Sequence, residues 1–200
     1  AEVLPALAES WNISADGLTY TFKLRNGVKF HDGSAFDSAD VVFSLDRARS
    51  ENSTNAQKAL FAAIEGVNAQ GSNTVVVTLN TPTGNFLFNM GWGDAVIVDS
   101  ASANSNKSKP VGTGPFIFKR WVKGDRIELG QNKNYWGEKP ALKSATFKII
   151  PDPAAAVAAL MAGDADAFAN FPAPEMAAQF QRDSRFTVKV GSTEGETILS

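Results

Sequence analysis

The sequence predicts a mixed α/β (α+β) fold in which helices flank a mixed β-sheet. Three observations carry that expectation. Short runs alternate apolar and polar residues as half-buried strands do; two helix starts are marked by aspartate caps; and strands and helices follow one another without a regular βαβ period. At 200 residues, 44% hydrophobic and 20% charged, the composition is that of a globular chain and not of a disordered one. A chain of this size buries roughly 70% of its unfolded surface, enough for one large domain or two closely packed subdomains.

The first strand is Thr19–Leu24, where Tyr20, Phe22 and Leu24 fall on one face and Thr21 and Lys23 on the other. Asp16-Gly17 before it and Asn26-Gly27 after it are turn signals. A helix then starts at Asp37, with Asp40 placed to complete a capping box and Val41, Val42, Leu45 and Ala48 as the apolar stripe. A second, weaker helix is expected over 56–64. Ile64–Ala69 and Thr74–Leu79 read as a strand pair joined through Gln70-Gly71-Ser72-Asn73. A short helix over 85–90 and a strand over 95–98 follow.

Residues 100–110 form a polar stretch, which predicts a first subdomain over 1–105 and a second over 106–200. Beyond it, strands are expected over 116–121, 126–129 and 145–150. Asp152-Pro153 opens a helix, Asp as N-cap and Pro at N1, that ends at Gly163 in the C′ position. A short strand over 166–168, a helix over 174–181 and a strand over 186–190 complete the prediction. Both ends read as interrupted: 2–11 looks like the middle of a packed segment and 197–200 like a strand that stops, so the sequence reads as a fragment.

Composition narrows the chemistry. The chain has no cysteine, which removes disulfides, thiolate metal sites and cysteine nucleophiles. No stretch approaches the roughly 20 apolar residues that span a bilayer, and the first residues lack the basic and apolar regions of a signal peptide. Residues 1–100 carry 6 Lys/Arg against 11 Asp/Glu (−5), and 101–200 carry 13 against 10 (+3). The basic residues stand singly among apolar and acidic ones, as on the wet face of a sheet, so nucleic acid is not an expected partner.

Catalytic constellations are thin. His31 is the lone histidine, set in a turn beside Asp32, where hydrogen bonding to nearby backbone is its simplest role. A hydrolase built on His31 or on Asp32, Asp37 and Asp40 is conceivable, but a turn and a helix start explain these carboxylates. Asp164 and Asp166 straddle a turn and read as solvated. Gly112-Thr113-Gly114-Pro115 lacks the Lys-Ser/Thr of a phosphate loop and leads into a strand; its glycines suggest a tight, positive-φ turn where two backbones approach. Trp92 lies in a glycine-flanked loop, Met90-Gly91-Trp92-Gly93-Asp94, from which a ring could project, although burial is its default expectation.

Taken together, these strings resemble the family 5 bacterial solute-binding proteins, the peptide- and nickel-binding components of ABC importers. The resemblance runs through Leu7-Ala8-Glu9-Ser10-Trp11, Asp16-Gly17-Leu18-Thr19-Tyr20-Thr21-Phe22-Lys23-Leu24-Arg25, Gly27-Val28-Lys29-Phe30-His31-Asp32-Gly33 and Asp40-Val41-Val42-Phe43-Ser44. It continues through Lys109-Pro110-Val111-Gly112-Thr113-Gly114-Pro115-Phe116, Asn134-Tyr135-Trp136-Gly137, Lys139-Pro140, Ile149-Ile150-Pro151-Asp152-Pro153 and Ala159-Leu160-Met161-Ala162-Gly163-Asp164-Ala165-Asp166. The order of the strings, over nearly the whole chain, makes the likeness specific.

The resemblance implies one lobe of a two-lobed, type II periplasmic-binding fold, with the second lobe absent from this chain. It implies a binder and not an enzyme, without a cofactor or resident metal. The expected cargo is a di- or oligopeptide, with nickel or a metal chelate, an oligosaccharide or an opine as alternatives. The expected partners are the permease subunits of the importer, the expected place is the bacterial envelope outside the cytoplasmic membrane, and membrane contact is expected only through the transporter or a lipid anchor. Two loops are candidates to face the cargo: Trp92, Gly93 and Asp94, and Glu194, Gly195, Glu196 and Thr197.

Overall fold

The computed structural model describes residues 2–191. Two compact units emerge, the described residues up to Val122 with Ile127–Thr146, and Lys123–Arg126 with the described residues from Phe147 on. Neither begins or ends in the polar stretch at 100–110.

A four-stranded antiparallel sheet dominates the first unit: β1 (Ala8–Ile13), β2 (Thr19–Leu24), β3 (Ile64–Ala69) and β4 (Thr74–Leu79), in the order β1-β2-β4-β3. The alternation in β2 and β4 has its predicted consequence. Tyr20 pairs with Val77 and Phe22 with Val75, and Val75, Val77, Leu79, Tyr20 and Leu24 are buried on the core face. β1 was expected only as packed chain. Its Glu9, Ser10 and Asn12 give no alternation, and it is a strand because its backbone pairs with β2 at the sheet edge, Trp11 opposite Phe22.

α1 (Ser38–Arg49) packs on this sheet through Val41 and Leu45. Its start is the predicted capping box: the Asp37 carboxylate accepts the Ala39 N–H at 2.7 Å and the Asp40 carboxylate accepts the Asp37 N–H at 2.9 Å. The second helix shrinks to a 3₁₀ turn, Lys58–Phe61, which serves to drive Phe61 into the core, fully buried. α2 (Phe86–Met90) inserts Phe86 against Tyr20, ring centroids 4.7 Å apart.

β5 (Phe116–Val122), β6 (Arg126–Gln131) and β7 (Ser144–Lys148) form a second antiparallel sheet in that order. Arg120 and Glu128 bridge β5 and β6 bidentately, at 2.6 and 3.1 Å.

In the second unit, α3 (Pro153–Ala162) starts and stops as its sequence dictates. The Asp152 carboxylate accepts the Ala155 N–H, Pro153 sits at the first helical position, and Gly163 adopts φ +79° to close the C-terminus. The helix expected over 174–181 is a 3₁₀ turn, Pro174–Met176, running into α4 (Ala177–Arg182). No strand forms at 166–168 or 186–190. Phe168, Phe171, Phe180 and Phe186 instead stack edge-to-face in a row, with centroids 5.0–5.8 Å apart.

Candidate functional site

The chain between α2 and the polar stretch forms neither helix nor strand and carries the sequence candidates Trp92, Gly93 and Asp94. It is held by side chains from two other elements. Asn55 Nδ2 donates to the Asp94 carbonyl at 2.8 Å. Further on, the buried Ser44 hydroxyl of α1 accepts the Val98 N–H at 2.9 Å and donates to the Val98 carbonyl at 3.2 Å. This pair of hydrogen bonds accounts for the missing strand at 95–98: the backbone groups of Val98 are satisfied by a helix side chain in place of a neighbouring strand.

Trp92 is not core. The residue is 45% exposed and its ring meets that of Phe88, itself 43% exposed, edge-to-face at 6.2 Å. Phe86, two residues before Phe88, is by contrast fully buried.

The segment separates two hollows. On one side is an apolar cavity of about 360 Å³ lined by Trp92, Met90, Leu87, Ile97, Trp11 and Leu45, among others. On the other is a polar cavity of about 300 Å³ lined by Asp94 and Val96, by Arg47 near the end of α1, and by Ser53, Thr54 and Asn55 of the following loop. Both are of ligand size. Arg47 and the loop at 50–55 were not singled out from the sequence. The one available signal was that Ser44 and Arg47 stand one helical turn apart on α1. Glu194, Gly195, Glu196 and Thr197 lie outside the described residues.

The residues that invited a catalytic reading have other occupations. His31 sits against the glycine loop, not its own turn: Nδ1 accepts the Gly112 N–H at 3.2 Å, Nε2 meets the Gly114 carbonyl oxygen at 3.0 Å, and its backbone N–H donates to the Gly112 carbonyl at 2.8 Å. Neither Gly112 nor Gly114 has positive φ; the loop uses close backbone approach alone. Asp32 is bound by the hydroxyl and the N–H of Ser34, which hold its carboxyl below the usual carboxylate range. Asp40 is pushed up, first by burial and then by the charges of Asp37 and Asp99. No group of three metal-ligating side chains occurs among the described residues, and no helix among them is long and apolar enough to cross a membrane.

Comparison with known proteins adds a second line. A family model described as bacterial extracellular solute-binding proteins, family 5 Middle, matches residues 2–199. The glutathione-binding protein GsiB of Pectobacterium atrosepticum is 38% identical over 169 residues, which cover 82% of this chain and 33% of that protein. Among solved structures, AgaA of A. tumefaciens R10 in complex with agropinic acid superposes with a TM-score of 0.85 at 32% identity, covering 90% of this chain and 37% of that one. DppA of Helicobacter pylori in complex with the peptide STSA gives a TM-score of 0.81 at 31% identity, covering 92% and 41%. The chain thus spans roughly a third of the length of its curated relatives.

Proposed function

The chain belongs to the bacterial extracellular solute-binding proteins of family 5, and from that premise we propose that it serves as part of the substrate-binding component of an ABC-type importer, capturing small peptides outside the cytoplasmic membrane and delivering them to the permease. The observation that carries the capture role is the Trp92–Asp94 segment. It is irregular yet tied down at Asp94 and again further on at Val98, exposes an aromatic ring, and borders a polar hollow large enough for a short peptide. Hydrogen-bonding groups from Asn55, Ser53 and Thr54 around that hollow suit the amide-rich surface of a peptide, and water fills what a given side chain does not. Closure of two lobes over the cargo then presents the loaded form to the transporter. With His31 and the Asp32–Asp40 carboxylates committed to backbone and caps, the reading is of a binder and not an enzyme.

Relatives named for glutathione and for a bound peptide support a peptide cargo. AgaA, solved with agropinic acid, superposes just as well, so an opine or another small solute is the second reading. Calorimetric titration of the complete protein with short peptides tests the choice. Saturable heat with peptides is expected; heat only with an opine, a sugar or a metal chelate would sink the peptide assignment and leave the transport role standing.

A further inference from the structure

Asn26-Gly27, the turn that follows β2, is set apart from other asparagine sites by what its backbone lacks. Both residues are exposed, and Gly27 adopts φ +73° with open space where a side chain would begin. The Gly27 N–H has no hydrogen-bond partner among the described residues. By contrast, the residues after Asn52, Asn85, Asn104 and Asn134 give their N–H groups to the carbonyls of Ser50, Thr83, Ser102 and Asn132 respectively. The Asn26 side chain is lightly held as well, its Oδ1 accepting from Asn73 Nδ2 at 3.3 Å on the surface.

An asparagine carries an electrophilic amide carbon within reach of the backbone nitrogen of the next residue. A hydrogen bond to that nitrogen, or a side chain beside it, holds the two apart; Gly27 has neither. We propose that Asn26-Gly27 is a site of spontaneous covalent modification, in which Gly27 N closes on Asn26 Cγ and position 26 becomes a mixture of aspartate and isoaspartate.

Gly27 N loses its proton to solvent base and attacks Asn26 Cγ. The N–Cγ bond forms, the Cγ–Nδ2 bond breaks, and the amide nitrogen leaves as ammonia. Water then opens the cyclic imide. Cleavage at Cγ restores the peptide bond and leaves a side-chain carboxylate. Cleavage at the backbone carbonyl carbon leaves isoaspartate, with the main chain running through Cγ and one methylene longer. Water is the only co-reactant, and nothing is oxidised or reduced.

That extra methylene falls between fixed anchors. Leu24 and Val28 are buried on either side of the turn. The Arg25 N–H donates to the Leu7 carbonyl at 2.8 Å, and the Arg25 guanidinium pairs with Glu9 and lies 4.6 Å over the Trp136 ring. The Val28 carbonyl accepts the Phe36 N–H at 3.0 Å. Isoaspartate shifts one set of these anchors against the other, whereas aspartate leaves the backbone as it was.

The test ages the complete protein in mildly alkaline buffer, with wild type beside Asn26→Gln and Asn26→Asp and a synthetic peptide of residues 20–32 as the unfolded reference. Peptide mass mapping and methyl labelling by an isoaspartyl methyltransferase locate the product. Reaction at position 26 is expected to run roughly five- to tenfold faster than at the other described asparagines, the advantage of one hydrogen bond that need not first be broken. Asn26→Gln should stay unlabelled there, and Asn26→Asp should unfold at the same urea concentration as fresh wild type. The isoaspartate fraction of aged wild type should unfold at a lower one. A wild type that stays unmodified at position 26 while the peptide reacts overturns the proposal, as do equal rates at all the described asparagines. Labelling at position 26 with an unchanged urea midpoint overturns the shift of the anchors and upholds the site itself.

Discussion

His31 is clamped to Gly112 twice, its backbone N–H donating to the Gly112 carbonyl at 2.8 Å while its ring Nδ1 accepts the Gly112 N–H at 3.2 Å. Because Nδ1 is an acceptor, the proton of the neutral ring sits on Nε2 and is donated to the Gly114 carbonyl. The same carbonyl also accepts from Asn132 Nδ2 at 3.0 Å, and Trp136 Nε1 donates to the Thr113 carbonyl at 3.1 Å. Three strings far apart in sequence therefore meet at one loop, and each has a packing reason to be where it is.

His31→Ala removes two of these bonds and leaves half-buried backbone groups to find water. A loss of about 1–3 kcal/mol is expected in urea denaturation, with no change in slope. Cargo affinity of the folded fraction should be unchanged, since His31 does not line the polar hollow. A specific loss of binding at full stability would contradict the structural assignment.

Much of the fold was legible because local chemistry and final environment agree. The capping residues of α1 and the proline and glycine that bracket α3 satisfy backbone without help from distant residues, and the alternation in β2 and β4 marks in each strand the face that their pairing then buries. The misses share the opposite character. β1 is defined by pairing along β2 and not by its own pattern; residues 95–98 are taken by Ser44; Phe186 is recruited by Phe180 and leaves its strand. At the site, Trp92 and Asp94 could be named from glycine-flanked loop chemistry, whereas Arg47 and Asn55 belong to it only because α1 and the loop after it fold back over that segment.

Two aspartates in the same region should respond to acid in opposite directions. Asp32 is held below its unfolded pKa by Ser34, so its contribution is present above the unfolded value and fades as pH falls through the folded one. Asp40 is held above its unfolded pKa by burial, so its contribution is present below the unfolded value and is lost as pH rises through the folded one. Asp40→Asn, which keeps an acceptor for the Asp37 N–H, should gain stability over wild type at pH 7, by less than about 1 kcal/mol because the carboxylate is only partly buried and solvent screens it. Asp32→Asn should lose stability at pH 7. The Asp40 difference should vanish in thermal melts as pH drops below roughly 4, whereas the Asp32 difference should persist there and fade only at still lower pH.

Removal of the α1 cap separates helix stability from core stability. Asp37→Ala leaves the Ala39 N–H without its acceptor and is expected to cost about 1 kcal/mol in chemical denaturation. Asp37→Ser should recover most of that, because a serine oxygen reaches the same donor.

Phe86 and Phe88 share α2 but not a fate. Phe86 is fully buried beneath Tyr20, and Phe86→Ala should cost about 3–5 kcal/mol or abolish folding. Phe88 and Trp92 stand half in water against each other, so Phe88→Ala or Trp92→Ala should cost roughly 1 kcal/mol or less, the worth of an exposed aromatic pair. If the Trp92 segment faces cargo, the same two substitutions should weaken peptide binding by more than they weaken the fold, as seen by comparing calorimetric affinities with melting temperatures.

Ser44 offers the strictest link between packing and capture. It is buried, 5% exposed, and its hydroxyl satisfies both the N–H and the carbonyl of Val98. Ser44→Ala takes away one oxygen and creates almost no cavity, so the expected cost of about 1–3 kcal/mol comes from leaving those backbone groups unpaired. The released backbone is the same one that presents Asp94 to the hollow, four residues upstream. Hydrogen exchange of the 94–98 amides should therefore speed up selectively, and peptide should dissociate faster while its association rate is little altered. Ser44→Ala with lowered stability but unchanged exchange at 94–98 and unchanged dissociation would show that Asn55 alone holds the segment in place, and Asn55→Ala would then be the variant in which dissociation accelerates.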